Sequence, residues 1–397
     1  MRVLILYDGD YPWDVRIEKM ARTLAHTGHG VAILARNRAN RPRTEVAEGL
    51  PGVTIHRLPH GGKAEPLLGT PVPMHPVWLR EALRVARAFR PDRILARDLP
   101  LAPVGLSVAR RTGARPVLDF AEPYPEALRS NWQFDALGGT DHLLKSPRLA
   151  DALERWVLRR QPRVLVVCPE AGARLERRGL APGRWTVVHN TPDLAWWPST
   201  GGASPVGSDQ GTLQLLFTGI LVGDRGVEVA IEALARLVET APTLPPVELH
   251  VVGEGPARPR YQQAVRRLGL TGRVHFHGWV AHHKLPELWS RADLGLLPFH
   301  RCSHIDATLA NKLFDYMAAG LPVLASDAPP MVRILHETGA GSVFRGGDPR
   351  DLAAVARGLL ADRQRRWRMG EAGRRAVRER YSWAHDAERL LAAIEQP

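Results

Sequence analysis

Cysteine, lysine and long apolar runs are all scarce in this chain of 397 residues. The two cysteines, Cys168 and Cys302, provide neither a disulfide framework nor a cysteine metal cluster, and they predict a reduced, cytoplasmic setting. No apolar run approaches the ~18 residues that a membrane span needs, and the segment MRVLILYDGD lacks the small-residue cleavage site of a secretory signal. The composition therefore argues against a disulfide-stapled secreted domain and against an integral membrane protein.

The scarcity of lysine affects how the net charge of +13 is interpreted, because only five of the 54 basic residues are lysine. Such a skew towards arginine is typical of a genome-wide bias, and many of the arginines fall on amphipathic helical patterns. Solvated helix faces, peripheral attraction to an anionic membrane and anionic substrates are all compatible with this charge. No nucleic-acid-binding module accompanies it, so nucleic acid is not an expected partner.

Short β-branched runs alternate with helical patterns along the whole chain. Near-continuous apolar strands that alternate with helices are typical of parallel sheets covered on both faces. The predicted strands are 2–7, 31–35, 53–59, 93–98, 116–121, 164–169, 186–190, 213–219, 247–253, 274–278, 294–299, 322–327 and 341–344. The pattern predicts an α/β fold of two doubly wound, Rossmann-like domains, with a cleft lined by the carboxyl ends of their strands.

The segment STGGASPVGSDQG interrupts this alternation with glycine, serine and proline and without periodicity. It predicts a linker at 199–211 between an amino-terminal domain at 1–198 and a carboxyl-terminal domain at 212–378. The last helix, at 379–397, follows the second block and is free to return to the first domain.

The segment FTGILVGDRG ends the first strand of the second block and leads into a helix. Free backbone N–H groups and the helix dipole make such a turn an anion site, which Gly219 and Gly223 leave open to close approach. Arg225 could pair with a phosphate there through its planar guanidinium. A glycine-containing turn with no ligand is the plain alternative.

A second polar turn precedes a helix in HIDATLANKLFDYMAAG, at 304–320. Thr308 to Asn311 would expose a further set of N–H groups, and Asp315 lies one turn inside the helix. A carboxylate at that place could accept two hydrogen bonds from the vicinal hydroxyls of a ribose. The alternatives for Asp315 are a solvated helix residue and a charge that favours the start of the helix.

The pieces FTGILVGDRGVEVAIEAL, LHVVGEGP, VHFHGWVAHHKLPELWSRADLGLLPF and NKLFDYMAAGLPVLASD together resemble the donor domain of the retaining family 4 glycosyltransferases, which have the GT-B fold. Upstream, GHGVAILA, VCPEAGARL and TVVHNTPD resemble landmarks of that family's acceptor domain. The resemblance spans nearly the whole chain.

The resemblance implies a role for individual residues. Arg225 would hold the donor diphosphate, Asp315 the ribose, and Glu122 would lie near the reacting carbon, so that Arg225 and Glu122 are the expected catalytic residues. The segment from Gly278 to Val280 would lie along the nucleobase. The expected donor-binding residues are Gly219, Arg225, Val280, Asp306, Ala307, Thr308, Leu309, Asn311, Lys312 and Asp315.

Three positions depart from the family pattern. Ile220 occupies a position where the family commonly has an arginine. Ala307 occupies the position of the first glutamate in the family's pair of glutamates, and Asp306 is one residue away. Ala121 replaces a histidine before Glu122. The sequence leaves open whether Asp306 serves in place of the missing acid.

The triplet Asp8-Gly9-Asp10 has the form of a metal-binding motif found in other glycosyltransferases. Here it follows the first strand of the half that resembles the acceptor domain, and in a fold of this kind cations and helix dipoles usually take the metal's place. We therefore expect no metal and no cofactor. The expected acceptor-binding residues are Asp8, Asp10, Asp14, Arg16 and Glu122, with a helix cap as the alternative for Asp14.

The resemblance implies a retaining hexosyltransferase that moves a sugar from a nucleotide-sugar to a hydroxyl of a glycan, glycolipid or natural product. UDP is the expected nucleotide and an N-acetylhexosamine the expected sugar, both from their frequency in the family. Two other functions remain compatible with the sequence: a decayed protein that only binds nucleotide-sugar, and a sugar-nucleotide 2-epimerase of the same architecture. The acceptor has no motif that the sequence reveals.

Overall fold

The computed structural model describes residues 1–12, 14–60, 74–135, 146–195, 197 and 211–396, without the side chain of His282. The chain forms two compact units, taken over their described residues. The first comprises Met1–Arg129, Leu137–Asn190 and Trp383–Pro397, and the second comprises Ser130–Ala136 and Thr191–Ser382. The chain thus leaves the first unit before residue 198, and the expected linker lies outside the described residues except for Gly211.

An eight-stranded sheet with the order β3-β4-β2-β1-β5-β6-β7-β8 forms the centre of the first unit. Its strands are β1 (Arg2–Asp10), β2 (Gly30–Arg36), β3 (Thr44–Val46), β4 (Val53–Arg57), β5 (Arg93–Arg97), β6 (Arg115–Phe120), β7 (Val164–Val166) and β8 (Trp185–Val187). All neighbours pair in parallel except β3, which runs antiparallel to β4 at the edge and was not predicted.

The helices up to residue 177 are α1 (Val15–His26), α2 (Pro76–Phe89), α3 (Asp98–Thr112), α4 (Tyr124–Phe134), α5 (Pro147–Leu158) and α6 (Pro169–Arg177). The carboxyl-terminal helix α14 (Trp383–Glu395) groups with this unit too. Its Trp383, Leu390 and Ile394 belong to the same hydrophobic cluster as Ile17 and Leu24 of α1. One face of α1 is therefore covered by residues from the far end of the sequence.

The second unit has a six-stranded, wholly parallel sheet with the order β11-β10-β9-β12-β13-β14. Its strands are β9 (Leu213–Thr218), β10 (Val247–Val252), β11 (Val274–Gly278), β12 (Leu294–Leu297), β13 (Val323–Ser326) and β14 (Gly341–Phe344). Its helices are α7 (Val227–Thr240), α8 (Arg258–Arg267), α9 (Leu285–Arg291), α10 (Asn311–Ala319), α11 (Pro329–Thr338), α12 (Pro349–Leu360) and α13 (Arg363–Glu379).

Each sheet has a point at which the order of its strands reverses. In the first unit this point lies between β1 and β5, and in the second it lies between β9 and β12. In doubly wound folds ligands bind outside the carboxyl ends of the strands at such a point. The loops that follow these four strands are therefore the places to look for function.

None of the described helices is both long enough and apolar enough to cross a membrane.

Candidate functional site

The loop between β9 and α7 carries the glycines that the sequence singled out. Gly226 has φ 62°, and a β-carbon added there would lie 2.0 Å from the carbonyl oxygen of Pro298, which follows β12. Only glycine fits this left-handed, closely packed position. The amino terminus of α7 follows at once without a side-chain cap, so the helix dipole and its first N–H groups face the loop.

Arg225 lies in this loop, in the short 3-10 turn Gly223–Arg225. Its guanidinium carbon stands 4.8 Å from the ring centroid of Phe299, and its Nε lies 3.5 Å from Oδ1 of Asp224. Its side chain is 23% exposed, and among the described residues no hydrogen bond occupies its two Nη groups. Phe299 and Asp224 thus fix the Nε side of the guanidinium, and its two Nη groups remain available to an anion.

Asp224, next to Arg225, was not singled out by the sequence and is almost fully buried. Its Oδ2 accepts a hydrogen bond from Ser130 Oγ at 2.7 Å and lies 2.8 Å from Nδ1 of His304. Burial opposes ionisation, but hydrogen bonding to His304 and the nearby Arg225 outweigh it and lower the pKa of Asp224 to about 2. Asp224 therefore carries a negative charge that fixes two loops.

The loop from β12 to α10 contains the expected sugar contacts. Ala307 ends the 3-10 turn Ile305–Ala307, Thr308 is extended, and both Ala307 and Leu309 are buried. Asp306 is held by Arg301, whose Nε lies 2.6 Å from Oδ1 and whose Nη2 lies 3.1 Å from Oδ2. In this arrangement both Asp306 oxygens already have a partner within the loop.

Asp315 and Lys312 lie on α10, which begins at Asn311 without a side-chain cap. Asp315 is only 6% exposed, and its Oδ2 accepts a hydrogen bond from Lys312 Nζ at 2.9 Å. The alternative of a solvated helix residue is thereby excluded. The next residue, Tyr316, accepts a hydrogen bond from the backbone N–H of Thr218 at 2.9 Å, which ties α10 to the end of β9.

Close backbone contacts shape the turns that follow β9, β10 and β11. A β-carbon at Gly253 would lie 1.8 Å from the carbonyl oxygen of Gly219, and the N–H of Gly253 donates to the carbonyl of Gly278 at 2.8 Å. Val280 follows two residues later, and the intervening Trp279 is 66% exposed. The second unit thus brings Gly219, Arg225, the 306–309 segment and α10 to one edge of its sheet.

The first unit contains the expected acceptor residues. Asp8 and Asp10 lie inside β1 rather than after it, which corrects the sequence interpretation, because β1 extends to Asp10. Oδ1 of Asp8 accepts a hydrogen bond from Arg36 Nε at 2.5 Å, and Oδ1 of Asp10 accepts one from the backbone N–H of Arg38 at 2.9 Å. Burial raises the pKa of Asp8 against the opposing effect of Arg36.

Asp14 caps α1, since its Oδ1 accepts hydrogen bonds from the backbone N–H groups of Arg16 at 2.8 Å and of Ile17 at 3.0 Å. Arg16 is a second correction. It is 1% exposed, its guanidinium pairs with Asp119 at 2.6 Å, and it also donates to two backbone carbonyls. The guanidinium of Arg16 therefore supports the fold from within the first unit and is not presented to an acceptor.

A polar cluster that the sequence did not reveal lies at the ends of β5 and β6. Arg97 Nη1 donates to the buried Asp119 at 2.9 Å. Asp98 adopts φ 60°, and its Oδ1 accepts hydrogen bonds from the backbone N–H groups of Ala121 at 3.0 Å and Glu122 at 3.2 Å. Burial, opposed by Arg97 and reinforced by Asp119 and Glu122, raises the pKa of Asp98 to about 7.

Asp98 has two marks of a functional residue, a left-handed backbone and a strongly raised pKa. The exposed Glu122, predicted from the resemblance, sits directly beside it. The sequence did contain a sign of this cluster, because the predicted strands in RILARD and PVLDFAE both have charged residues at or just after their carboxyl ends. Parallel strands bring such ends to one edge of a sheet.

Comparison with known proteins agrees with this arrangement. The family model "Glycosyl transferase 4-like domain" matches residues 14–191, and "Glycosyl transferases group 1" matches residues 204–376. The glycogen synthase of Mycobacterium tuberculosis is 25% identical over 402 residues, which cover 96% of this chain and 92% of that protein.

Solved structures with the same fold cover almost the whole chain. Sucrose-phosphate synthase from Thermosynechococcus elongatus superposes with a TM-score of 0.77 at 18% identity, over 98% of this chain and 97% of that one. HepE from Anabaena, in complex with UDP-glucose, superposes with a TM-score of 0.71 at 16% identity, over 99% and 98% of the two chains. These structures share the fold, and the two family models together match residues 14–191 and 204–376, so the chain belongs to the retaining family 4 glycosyltransferases of the GT-B fold.

Proposed function

We propose that this glycosyltransferase moves a hexose from a UDP-sugar to a hydroxyl group of a glycan, a glycolipid or a natural product, without a metal ion. The observation that carries this proposal is the arrangement in the second unit. Arg225 and the uncapped amino termini of α7 and α10 follow the two strands at the reversal point of one parallel sheet.

The diphosphate of the donor is the ligand that this arrangement suits best. A guanidinium pairs with a phosphate through two parallel hydrogen bonds, and helix amino termini attract anions through their free N–H groups and dipoles. The two Nη groups of Arg225 remain available, while Phe299 and Asp224 fix the Nε side of its guanidinium. Thr308 and Asn311 would supply further backbone donors.

The nucleoside would then contact the neighbouring turns. Asp315, held by Lys312, offers a carboxylate for the vicinal ribose hydroxyls. The exposed indole of Trp279, beside Gly278 and Val280, offers an aromatic surface on which a nucleobase can stack. The HepE structures contain UDP or UDP-glucose, which supports uridine as the base.

The proposed chemistry is a displacement on the front face of the sugar. The bond from the anomeric carbon to the diphosphate oxygen breaks while the acceptor oxygen bonds to the same face, and the acceptor proton passes to the departing phosphate oxygen. No protein nucleophile takes part, so the protein contributes position and charge stabilisation. Arg225 and the two helix dipoles would neutralise the leaving diphosphate, which is the task a metal performs in other enzymes.

The acceptor would be bound by the first unit. Glu122 is exposed beside Asp98, and Asp10 and Asp14 lie at the carboxyl end of β1 and the start of α1. Their carboxylates can accept hydrogen bonds from sugar hydroxyls. Arg16 is withdrawn from this set because its guanidinium is buried.

A second candidate is a protein that binds the donor without turning it over. Ala307 occupies the place of an acid, Asp306 is already paired with Arg301, and Ile220 is 66% exposed where an arginine is common. These three positions weaken the contacts to the transferred sugar and to the diphosphate. Such a protein would bind UDP but release none from a UDP-sugar.

The deciding experiment is calorimetric titration with UDP, GDP and dTDP, and with UDP-glucose and UDP-N-acetylglucosamine, in excess EDTA and again with Mg²⁺. Binding of uridine ligands that is equal in both conditions, together with UDP release in the presence of cell-derived acceptors, supports the proposal. Binding that disappears in EDTA would contradict the metal-free site. Binding without any turnover would favour the second candidate.

A further inference from the structure

Three histidines and a glutamate lie together on one face of the second sheet. Glu248 and His250 alternate along β10, and His275 and His277 alternate along β11. Since side chains two residues apart point to the same side of a strand, each pair shares a face. The register places His250 opposite His275, so both pairs lie on the same side of neighbouring strands.

The distances among three of these side chains are close to those of a metal site. Nε2 of His275 lies 3.2 Å from Oε2 of Glu248, and Nε2 of His250 lies 3.5 Å from the same oxygen. All three ligand atoms lie within 4.8 Å of one another. Ligands at about 2.0–2.1 Å from a tetrahedral zinc ion are separated by about 3.3 Å, so only small side-chain rotations are needed.

The two ring nitrogens that face Glu248 are poorly satisfied. Nε2 of His250 and Nε2 of His275 are both shielded from solvent, and in the described part of the chain neither makes a well-aligned hydrogen bond, although both lie close to Oε2 of Glu248. Poor satisfaction of a shielded polar atom is unfavourable and is uncommon in native proteins. A metal ion between the two rings and the carboxylate would satisfy both nitrogens at once.

His277 can anchor the ring of His250. Nδ1 of His250 lies 2.9 Å from Nε2 of His277, and either nitrogen can donate this hydrogen bond, depending on the tautomers of the two rings. With a metal on Nε2 of His250, its Nδ1 would carry the proton and donate it to His277. Histidine ligands of metals commonly have their second nitrogen anchored in this way.

We propose that Glu248, His250 and His275 bind one zinc ion, with His277 as a positioning residue. Two imidazoles and one carboxylate form a donor set that zinc commonly takes, and a water molecule would complete the tetrahedron. The single negative charge of Glu248 offsets half of the ion's charge. Because β11 is an edge strand, the ion would cross-link it to β10 within the sheet.

The first test is zinc titration of the metal-stripped full-length protein by calorimetry, with no nucleotide present. We expect one zinc ion per chain, loss of that binding in His250→Ala and in His275→Ala, and a 10- to 100-fold weaker site in His277→Ala, as is typical of an outer-shell partner. His336→Ala, which removes an exposed histidine of α11, is the matched control and should bind zinc as the wild type does.

A structural readout separates this site from zinc bound elsewhere on the surface. Anomalous diffraction or X-ray absorption should find zinc with two imidazole nitrogens at about 2.0–2.1 Å, and zinc should raise the thermal midpoint of the wild type but not of His250→Ala. Circular dichroism checks that each variant folds. Absence of zinc binding by the wild type, or unchanged binding by both alanine variants, would overturn the proposal. Neither result depends on glycosyl transfer.

Discussion

Nδ1 of His304 lies 2.8 Å from Oδ2 of Asp224, and both side chains are buried. Asp224 belongs to the loop after β9 and His304 to the loop after β12. The backbone carbonyl of Asp224 also accepts a hydrogen bond from the N–H of His300 at 3.0 Å. This pair therefore holds together the two loops that supply the proposed diphosphate and sugar contacts, and it sets the place of the adjacent Arg225.

Replacement of Arg225 by alanine should lower kcat by about 10²–10³, the usual effect of removing one donor that stabilises charge in the transition state. The measurement is release of UDP from the donor that the calorimetric titration identifies. Arg267→Ala removes an exposed guanidinium on α8 and is the control. Near-wild-type turnover in Arg225→Ala would remove this residue from the mechanism.

Replacement of Asp224 by asparagine should lower the free energy of unfolding by about 2 kcal/mol near neutral pH. The folded-state pKa of Asp224 is about 2 and its ordinary value is 3.8, so the ionised form stabilises the protein above about pH 4. That stability is lost as the pH falls from about 4 to 2, and the two proteins should converge there. Urea unfolding at several pH values measures the difference.

The same Asp224→Asn variant should bind UDP more weakly, because Arg225 loses the carboxylate beside its Nε. UDP affinity should be measured at a temperature well below the unfolding midpoint of the variant. The variant is then folded, so weaker binding reports a positioning role and not a general loss of stability. An unchanged UDP affinity in a folded Asp224→Asn protein would contradict the role given to this pair.

Replacement of Asp98 by asparagine should change how stability depends on pH. The folded-state pKa of Asp98 is raised to about 7, so the folded protein binds a proton that the unfolded chain releases near pH 4. The unfolding free energy of the wild type should therefore fall relative to that of Asp98→Asn, by up to about 1.4 kcal/mol per pH unit, as the pH rises from about 4 to 7.

Asparagine is a suitable replacement because it tolerates the left-handed backbone and can still accept the two backbone hydrogen bonds. Asp348→Asn is the control, since hydrogen bonds to the backbone lower the pKa of Asp348 and keep it ionised throughout this range. Parallel pH profiles for wild type and Asp98→Asn would show that the pKa of Asp98 is not raised.

Replacement of Trp383 by alanine should destabilise the first unit by about 3–5 kcal/mol, the typical effect of removing a large buried side chain. Trp383 is 4% exposed, its Nε1 donates to Thr23 Oγ1 at 2.9 Å, and Lys19 Nζ stands 4.7 Å from its ring centroid. Hydrogen exchange should accelerate in α1. Trp367→Ala removes a tryptophan that is 47% exposed and should leave exchange in α1 unchanged.

The buried strands of both sheets were predictable from the sequence. Every predicted strand is present, because a short, continuous apolar run bounded by turn residues is typical of a buried strand. The strand it missed, β3, has only the residues Thr44–Val46, pairs antiparallel at an edge and is largely exposed. An edge of that kind has no periodic apolar signal.

The candidate site was predictable only in part. Gly226 and Arg225 follow a strand and precede a helix in the sequence itself, so the likeness to an anion site was visible. The partners of Arg16 and Asp224 were not, because Asp119 lies 103 residues from Arg16 and His304 lies 80 residues from Asp224. Such contacts depend on how the elements pack, and a single sequence does not carry that information.

The joining of α14 to the first unit has a consequence for synthesis on the ribosome. Trp383 is 360 residues from its hydrogen-bond partner Thr23. At a synthesis rate of ~5–20 residues per second, α14 is therefore made about 20–70 s after α1, and until then the part of α1 that packs against α14 remains uncovered. The second unit, whose residues are nearly continuous from Thr191 to Ser382, is fully translated before α14 emerges. Translation order therefore favours completion of the second unit before the first.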